Sequence, residues 1–148
     1  MKEIEAIAPK KVDVGGMKKF RDYIGKKVIS KSGGTVGRVF DIAFREKSVE
    51  GIIVMKRISK LFIAREYVAS MTSDAIMLSI DPSTMLVGRQ VFDADGKKLG
   101  KVAKVLRKGM TNEIDAVIVR KNLYSKPLKI SKQDIEACKK NILLKKMY

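Results

Sequence analysis

Short apolar segments separated by turn residues recur along the whole chain and predict β-strands rather than long helices. Residues 49–56 (VEGIIVMK) and 114–121 (IDAVIVRK) have nearly the same pattern and predict two equivalent strands. Segments 26–30 and 75–80 are also short, segment 35–46 is a longer strand, and turn residues such as glycine separate several of them. Strands of this length and spacing are typical of small antiparallel barrels. We therefore expect an all-β fold interrupted only by short helical turns.

The repetition extends well beyond one strand. With a shift of 63 positions, residues 24–39 align with 87–102 and match glycine to glycine; with a shift of 66, residues 75–80 align with 141–146. A period of this length indicates a duplicated domain-sized unit rather than a solenoid turn. The sequence thus predicts two small tandem antiparallel β-barrels. The predicted division is an N-terminal arm (1–19), a first barrel (20–80), a linker (81–86) and a second barrel (87–148).

The strands at 52–55 and 117–119 are apolar on both faces. A unit of about 60 residues is marginally stable alone, and a solitary small barrel needs only one apolar face. One face of each strand is therefore expected to lie outside its barrel and to form a protein interface, with these candidates: Ile52, Val54, Val117 and Val119. The cover would be the sister unit or another chain, and a homodimer or higher assembly is expected. Alternatively, a loop or the N-terminal arm covers them.

The chain is strongly basic, with 32 Lys and Arg against 16 Asp and Glu and a net charge of +16. Such a balance suits an anionic partner such as nucleic acid, an acidic protein or a membrane surface. A thermophilic surface of charged networks would explain it equally well. The basic positions that align on one predicted strand, Lys101, Lys104 and Arg107, are the candidate face for an anionic partner. Their alternative role is a solvated outer face.

Catalytic and metal-binding patterns are not found in the sequence. The chain has no histidine, which excludes the usual histidine-based triads and dyads, and its one cysteine, Cys138, is read as a small apolar residue. The segment from Asp93 resembles a calcium loop but has Lys104 where a bidentate glutamate is required. We expect a non-enzymatic protein without metal or cofactor. The apolar stretches are too short for a membrane-spanning helix, and a cytoplasmic location is predicted.

Three paired motifs and one single stretch carry a resemblance to a known family. They are IGKKV with VGRQV, TVGRVFDI with KLGKVAKV, VEGIIV with IDAVIV, and the stretch LFIAREYVASMTSDAIML, which includes Glu66. Together they resemble a tandem of PRC-barrel domains, most like the short archaeal PRC-barrel proteins. The resemblance implies a non-catalytic protein–protein adaptor. Its most concrete version is an archaeal cell-division protein linked to the SepF anchor of the FtsZ ring, located in the cytoplasm at the division site. The alternative is a basic RNA- or ribosome-associated maturation factor.

Overall fold

The computed structural model describes residues 15–148, and over these residues the predicted all-β fold is confirmed. Helical structure is limited there to short 3-10 turns, at Phe20–Asp22, Arg65–Tyr67, Ser83–Leu86 and Lys132–Asp134. The first six strands are β1 (Lys27–Ile29), β2 (Thr35–Arg45), β3 (Ser48–Lys56), β4 (Ser59–Ala64), β5 (Val68–Met71) and β6 (Ala75–Leu78). The next six are β7 (Gln90–Phe92), β8 (Lys98–Arg107), β9 (Ile114–Arg120), β10 (Leu128–Ser131), β11 (Ile135–Cys138) and β12 (Ile142–Leu144). Most of the predicted N-terminal arm, residues 1–14, lies outside the described residues.

The strands form two six-stranded sheets with the same internal order, which is consistent with two barrel-like units. The first sheet runs β4-β3-β2-β1-β6-β5, and the second runs β10-β9-β8-β7-β12-β11. The sheets are not purely antiparallel as the sequence suggested, because β1 pairs with β6 and β7 pairs with β12 in parallel. The reason lies in the connections. A 3-10 turn rather than a hairpin joins β4 to β5, so the chain does not turn straight back and β6 returns parallel to β1.

Backbone hydrogen bonds outside the regular ladders are duplicated at equivalent positions. The N–H of Gly25 donates to the carbonyl of Val39 at 2.8 Å, and the N–H of Gly88 donates to Val102 at 2.8 Å. Two further pairs of backbone hydrogen bonds match in the same way. The N–H of Lys31 donates to the carbonyl of Ile80 as that of Ala94 donates to Lys146. The N–H of Ser79 donates to the carbonyl of Tyr67 as that of Lys145 donates to Asp134. The repeat seen in the sequence therefore corresponds to repeated backbone geometry.

Each sheet has its own hydrophobic core, and the four residues predicted as an interface belong to these cores. Ile52 and Val54 are 4% and 1% exposed in the first core, and Val117 and Val119 are 0% and 2% exposed in the second. Their predicted position outside the barrels is wrong. Alternation along a strand identifies two faces but not which one points inward. The opposite residues of these strands are the partly exposed ones: Ile53, Met55 and Ile118.

The two units make direct contact through the segment predicted as a linker. The 3-10 turn Ser83–Leu86 places Met85 against the first core and Leu86 within the second. The backbone N–H of Phe62 on the edge strand β4 donates to the carbonyl of Met110 in the β8–β9 turn at 2.7 Å. An edge strand exposes unpaired backbone groups. The second unit satisfies one of these groups on the first.

A buried polar residue organises the first hairpin of each unit. Ser30 and Asp93 occupy equivalent positions and are 0% and 4% exposed. The Oγ of Ser30 accepts a hydrogen bond from the N–H of Gly34 at 3.1 Å. The Oδ1 of Asp93 accepts from the N–H of Asp95 at 3.0 Å and of Lys97 at 2.9 Å. The duplicated hairpin is thus held by a hydroxyl in one copy and by a carboxylate in the other.

Lowering the pH is expected to destabilise the second unit, because Asp93 becomes protonated. Burial raises the pKa of this carboxyl, but the backbone N–H groups of Lys97, Tyr148 and Asp95 outweigh it and set the pKa below its ordinary value. A depressed folded-state pKa contributes stability above the unfolded pKa of about 4, and this stability is lost as the pH falls below it. Urea unfolding from about pH 6 down to about pH 2 should show a shallower acid loss in Asp93→Asn than in the unmutated protein. Asp95→Asn, which changes an exposed acid of the same hairpin, should keep the original profile; identical profiles for all three proteins would contradict the assignment.

Candidate functional site

The first unit carries an apolar cavity of about 560 Å³ at one end of its sheet. Aromatic and aliphatic side chains from the turn 20–22, β2, β3 and β5 surround it. Several of them are strongly exposed, and Phe44 is 64% exposed. Three basic residues also line it, at Lys18, Lys19 and Arg65. The exposed apolar lining residues are Phe20, Phe44, Val49 and Met71.

The second unit carries a cavity of about 530 Å³ at the equivalent place, but its lining is polar. The turn 83–86 replaces the turn 20–22, and β9 and β11 replace β3 and β5. The residues lining this cavity include Asp81, Ser83, Arg89, Asn112, Cys138, Lys139 and Lys140. The Oδ1 of Asn112 accepts a hydrogen bond from the N–H of Ser83 at 2.6 Å, which fixes one wall.

The two cavities differ because large apolar side chains of the first copy are replaced by smaller or polar ones in the second. Ser83 occupies the position of Phe20, and Cys138 occupies that of Met71. Desolvation raises the pKa of the Cys138 thiol, which lowers the fraction of reactive thiolate at neutral pH. The same scaffold therefore presents two cavities of similar size and different chemistry. Sequence reasoning missed both cavities; the aromatic residues at 20 and 44, which have no aromatic equivalents in the second copy, were the available signal.

Basic side chains cover the outer face of the second sheet. In the ladder, Lys101 pairs with Arg120, while Lys104 and Lys129 flank Ile118. All four cations are exposed, and none forms an ion pair within the described residues. At the equivalent positions the first sheet has Arg38, Met55, Asp41 and Phe62. Lys101 and Lys104 are therefore exposed side by side with Arg120 and Lys129, and their contact with an anionic partner stays a prediction.

Arg107, the third residue predicted for this face, has a different position. Its Nη1 donates to the carbonyls of Met110 and Thr111 at 3.2 and 2.9 Å. Its Nη2 donates to the Oγ of Ser59 and the carbonyl of Lys60, both at 3.1 Å. Partial burial lowers its pKa. The prediction of Arg107 as a surface contact is wrong, because the guanidinium joins the second unit to the first.

Within residues 15–148, no group of three or more His, Cys, Asp or Glu side chains is placed to hold a metal ion. In the same part of the chain, no helix is long and apolar enough to cross a membrane. The features that remain as candidate sites are the two cavities and the basic face.

Comparison with known protein families gives a match that covers most of the second unit. Residues 81–145 match the PRC-barrel domain family, so the chain contains a PRC-barrel domain over this range. The match begins just before the turn Ser83–Leu86 and ends just after β12. A search of curated proteins found no match.

Proposed function

We propose that the protein is a non-enzymatic adaptor that binds different partner proteins through its two equivalent cavities. The observation that carries this proposal is their unlike lining: Phe20 and Met71 in the first correspond to Ser83 and Cys138 in the second. A duplicated scaffold that served only packing would have no need of two cavities of contrasting polarity. Exposed apolar surface around a concave site is typical of protein interaction sites.

The chain is proposed to be a tandem of two PRC-barrel domains produced by duplication. The shared strand order and the duplicated hydrogen bonds support assigning residues 20–80 to the same family as the matched second unit. The paired sequence motifs favour the short archaeal proteins of this family as its relatives. On this basis the most concrete role is a division-site adaptor that links to the SepF anchor of the FtsZ ring.

The first cavity suits an apolar side chain of a partner that carries acidic residues beside it. Phe44, Val49 and Met71 supply the apolar wall, whereas Lys18 and Arg65 supply positive charge beside it. Among the described residues, no Asp or Glu lines this cavity. An apolar anchor within a charge-complementary rim is the usual anatomy of a specific protein interface.

Site-specific photo-crosslinking tests the adaptor proposal. A benzophenone amino acid in place of Phe44 is expected to capture one protein in native cells, because that side chain is exposed at the first cavity. The same group in place of Lys140 is expected to capture a different protein at the second cavity. Mass spectrometry identifies each adduct and shows whether division proteins are among them. Phe40, which is 41% exposed but lies outside the cavity, is the control position and should capture neither.

Capture of one and the same protein at both cavities would contradict an adaptor, as would equal capture at Phe40. The second candidate function, an RNA- or ribosome-associated factor, is favoured by the basic face alone. It predicts adducts that disappear after nuclease treatment and binding that falls steeply with salt, because phosphate contacts release counterions. Protein adducts that persist after nuclease treatment and at high salt favour the adaptor.

A further inference from the structure

The loop between β9 and β10 displays two large apolar side chains to solvent. Leu123 is 86% exposed and Tyr124 is 98% exposed. Adjacent large apolar residues exposed to this extent have no role in either core. In the first unit the equivalent β3–β4 hairpin carries one such residue, Ile58, at 96% exposure. We use the name "apolar tip" for Leu123 and Tyr124 together.

Hydrogen bonds within the loop hold the apolar tip outward. The Oδ1 of Asn122 accepts from the N–H of Tyr124 at 2.9 Å and from the N–H of Ser125 at 2.8 Å. The Oγ of Ser125 accepts from the N–H of Asn122 at 2.9 Å and donates to its carbonyl at 2.9 Å. The loop is therefore a closed turn, and its exposure of Leu123 and Tyr124 is built into its geometry.

Positive charge surrounds the apolar tip. A groove of about 580 Å³ runs from Leu123 along the sheet and is lined by four basic side chains: Lys98, Lys101, Arg120 and Lys121. Over residues 15–148, no acidic side chain lines this groove. Lys126 follows on the other side of the loop and is also exposed. The surface thus combines projecting apolar groups with several exposed cations nearby.

This combination fits a lipid bilayer with anionic headgroups better than it fits a protein or RNA. A stable protein interface buries about 800 Å² on each partner, whereas two residues on a projecting loop offer much less. Single-stranded RNA binds to aromatic platforms, so it would use Tyr124 alone and would leave Leu123 without a role. Insertion at a membrane surface requires only a small apolar projection, since basic side chains add attraction to anionic lipids. Tyrosine is enriched at the membrane–water boundary because its ring is apolar and its hydroxyl polar.

We propose that the protein docks on anionic membrane surfaces by inserting Leu123 and Tyr124 between headgroups that Lys98, Lys101, Arg120, Lys121 and Lys126 bind. This inference goes beyond the adaptor function, because it requires no protein partner. A failure in vesicle experiments would therefore leave the cavity-based proposal intact, and a failure to crosslink at the cavities would leave this one intact.

The absence of tryptophan from the chain provides a clean test. Tyr124→Trp places the only tryptophan on the apolar tip, and Ile58→Trp places the only one on the equivalent hairpin of the first unit. Vesicles of phosphatidylcholine with about one third phosphatidylserine should shift the tryptophan emission of the Tyr124→Trp variant to the blue, because the ring leaves water. The emission of the Ile58→Trp variant should stay unchanged. Phosphatidylcholine vesicles alone should leave both emission spectra unchanged.

Charge reversal separates specific docking from general attraction. Lys121→Glu with Lys126→Glu should lower the fraction that sediments with the anionic vesicles by at least about tenfold, since each basic residue adds to the attraction. Lys31→Glu with Lys47→Glu, which changes two exposed first-unit lysines and the net charge equally, should lower it far less. Circular dichroism confirms that both variants are folded.

Three results would overturn the proposal. One is an equal loss of sedimentation in the two charge-reversal variants. Another is an equal blue shift with the tryptophan at position 58 and at position 124. The third is a Tyr124→Trp variant whose emission responds to polyuridine RNA but not to the anionic vesicles.

Discussion

Replacing Gly100 with alanine is expected to destabilise the second unit by about 3 kcal/mol or more. A Cβ at this position would lie 2.3 Å from the carbonyl oxygen of Arg120, on the neighbouring strand β9. The φ of Gly100 is +141°, a conformation that residues with a side chain rarely adopt. The clash is with backbone, so relief requires the β8–β9 ladder to open. Urea unfolding followed by circular dichroism measures the loss.

Alanine substitutions at other glycines separate the cost of the steric clash from the cost of the positive φ. Gly16→Ala, with no atom within 4 Å of the added Cβ, should change the midpoint little; Gly96→Ala, with φ +83° and open space, should cost about 1 kcal/mol from backbone strain alone. Gly37 in the first unit repeats the arrangement of Gly100, since its Cβ would lie 2.5 Å from the carbonyl oxygen of Met55. If Gly100→Ala unfolds at the same urea concentration as Gly96→Ala, the close approach to Arg120 does not contribute to the loss of stability.

Replacing Arg107 with methionine is expected to uncouple the two units and to cost about 2–3 kcal/mol. The guanidinium donates four hydrogen bonds, and two of them reach Ser59 and Lys60 of the first unit. Methionine keeps most of the apolar stem but leaves the carbonyl acceptors without this donor. Calorimetry should show two separated unfolding transitions in the variant and one shared transition in the unmutated protein.

Lys104→Met is the matched control, because it removes the same charge from an exposed side chain of the same strand and should keep one transition. Arg107→Lys restores the charge but not the planar fork, and it should resemble Arg107→Met rather than the unmutated protein. A single transition at the original temperature in Arg107→Met would show that the units are coupled by other contacts.

The strands and the repeat could be predicted from the sequence because both depend on local order. Glycines at fixed spacing and strands such as 49–56 mark the same positions in each copy. The inward face of β3 could not be predicted, since Ile52 and Ile53 are both isoleucine and only the register with β2 and β4 distinguishes them. The parallel pairing of β1 with β6 depends on strands that are far apart in the chain.

The exposure of a side chain could be predicted from the sequence where no other part of the fold lies against it, and could not be predicted where one does. Lys101 and Lys104 are exposed, as expected for long charged side chains. Arg107 is a long charged side chain on the same predicted strand, but the β3–β4 hairpin of the first unit lies against it. The cavity around Phe44 and the apolar tip at Tyr124 required knowledge of which loops close and which strands end together.

The adjacent residues Met85 and Leu86 fix the distance and the orientation between the two units. Each belongs to a different core, so a rotation of one unit about this turn would have to withdraw a side chain from its packing. Domains joined by a flexible linker hold their ligands at a spread of distances set by linker length. Here the separation and relative orientation of whatever the two units bind are set by the fold itself. A bound pair would be held at one spacing and one angle, which is the property that a regular assembly needs from its connecting piece.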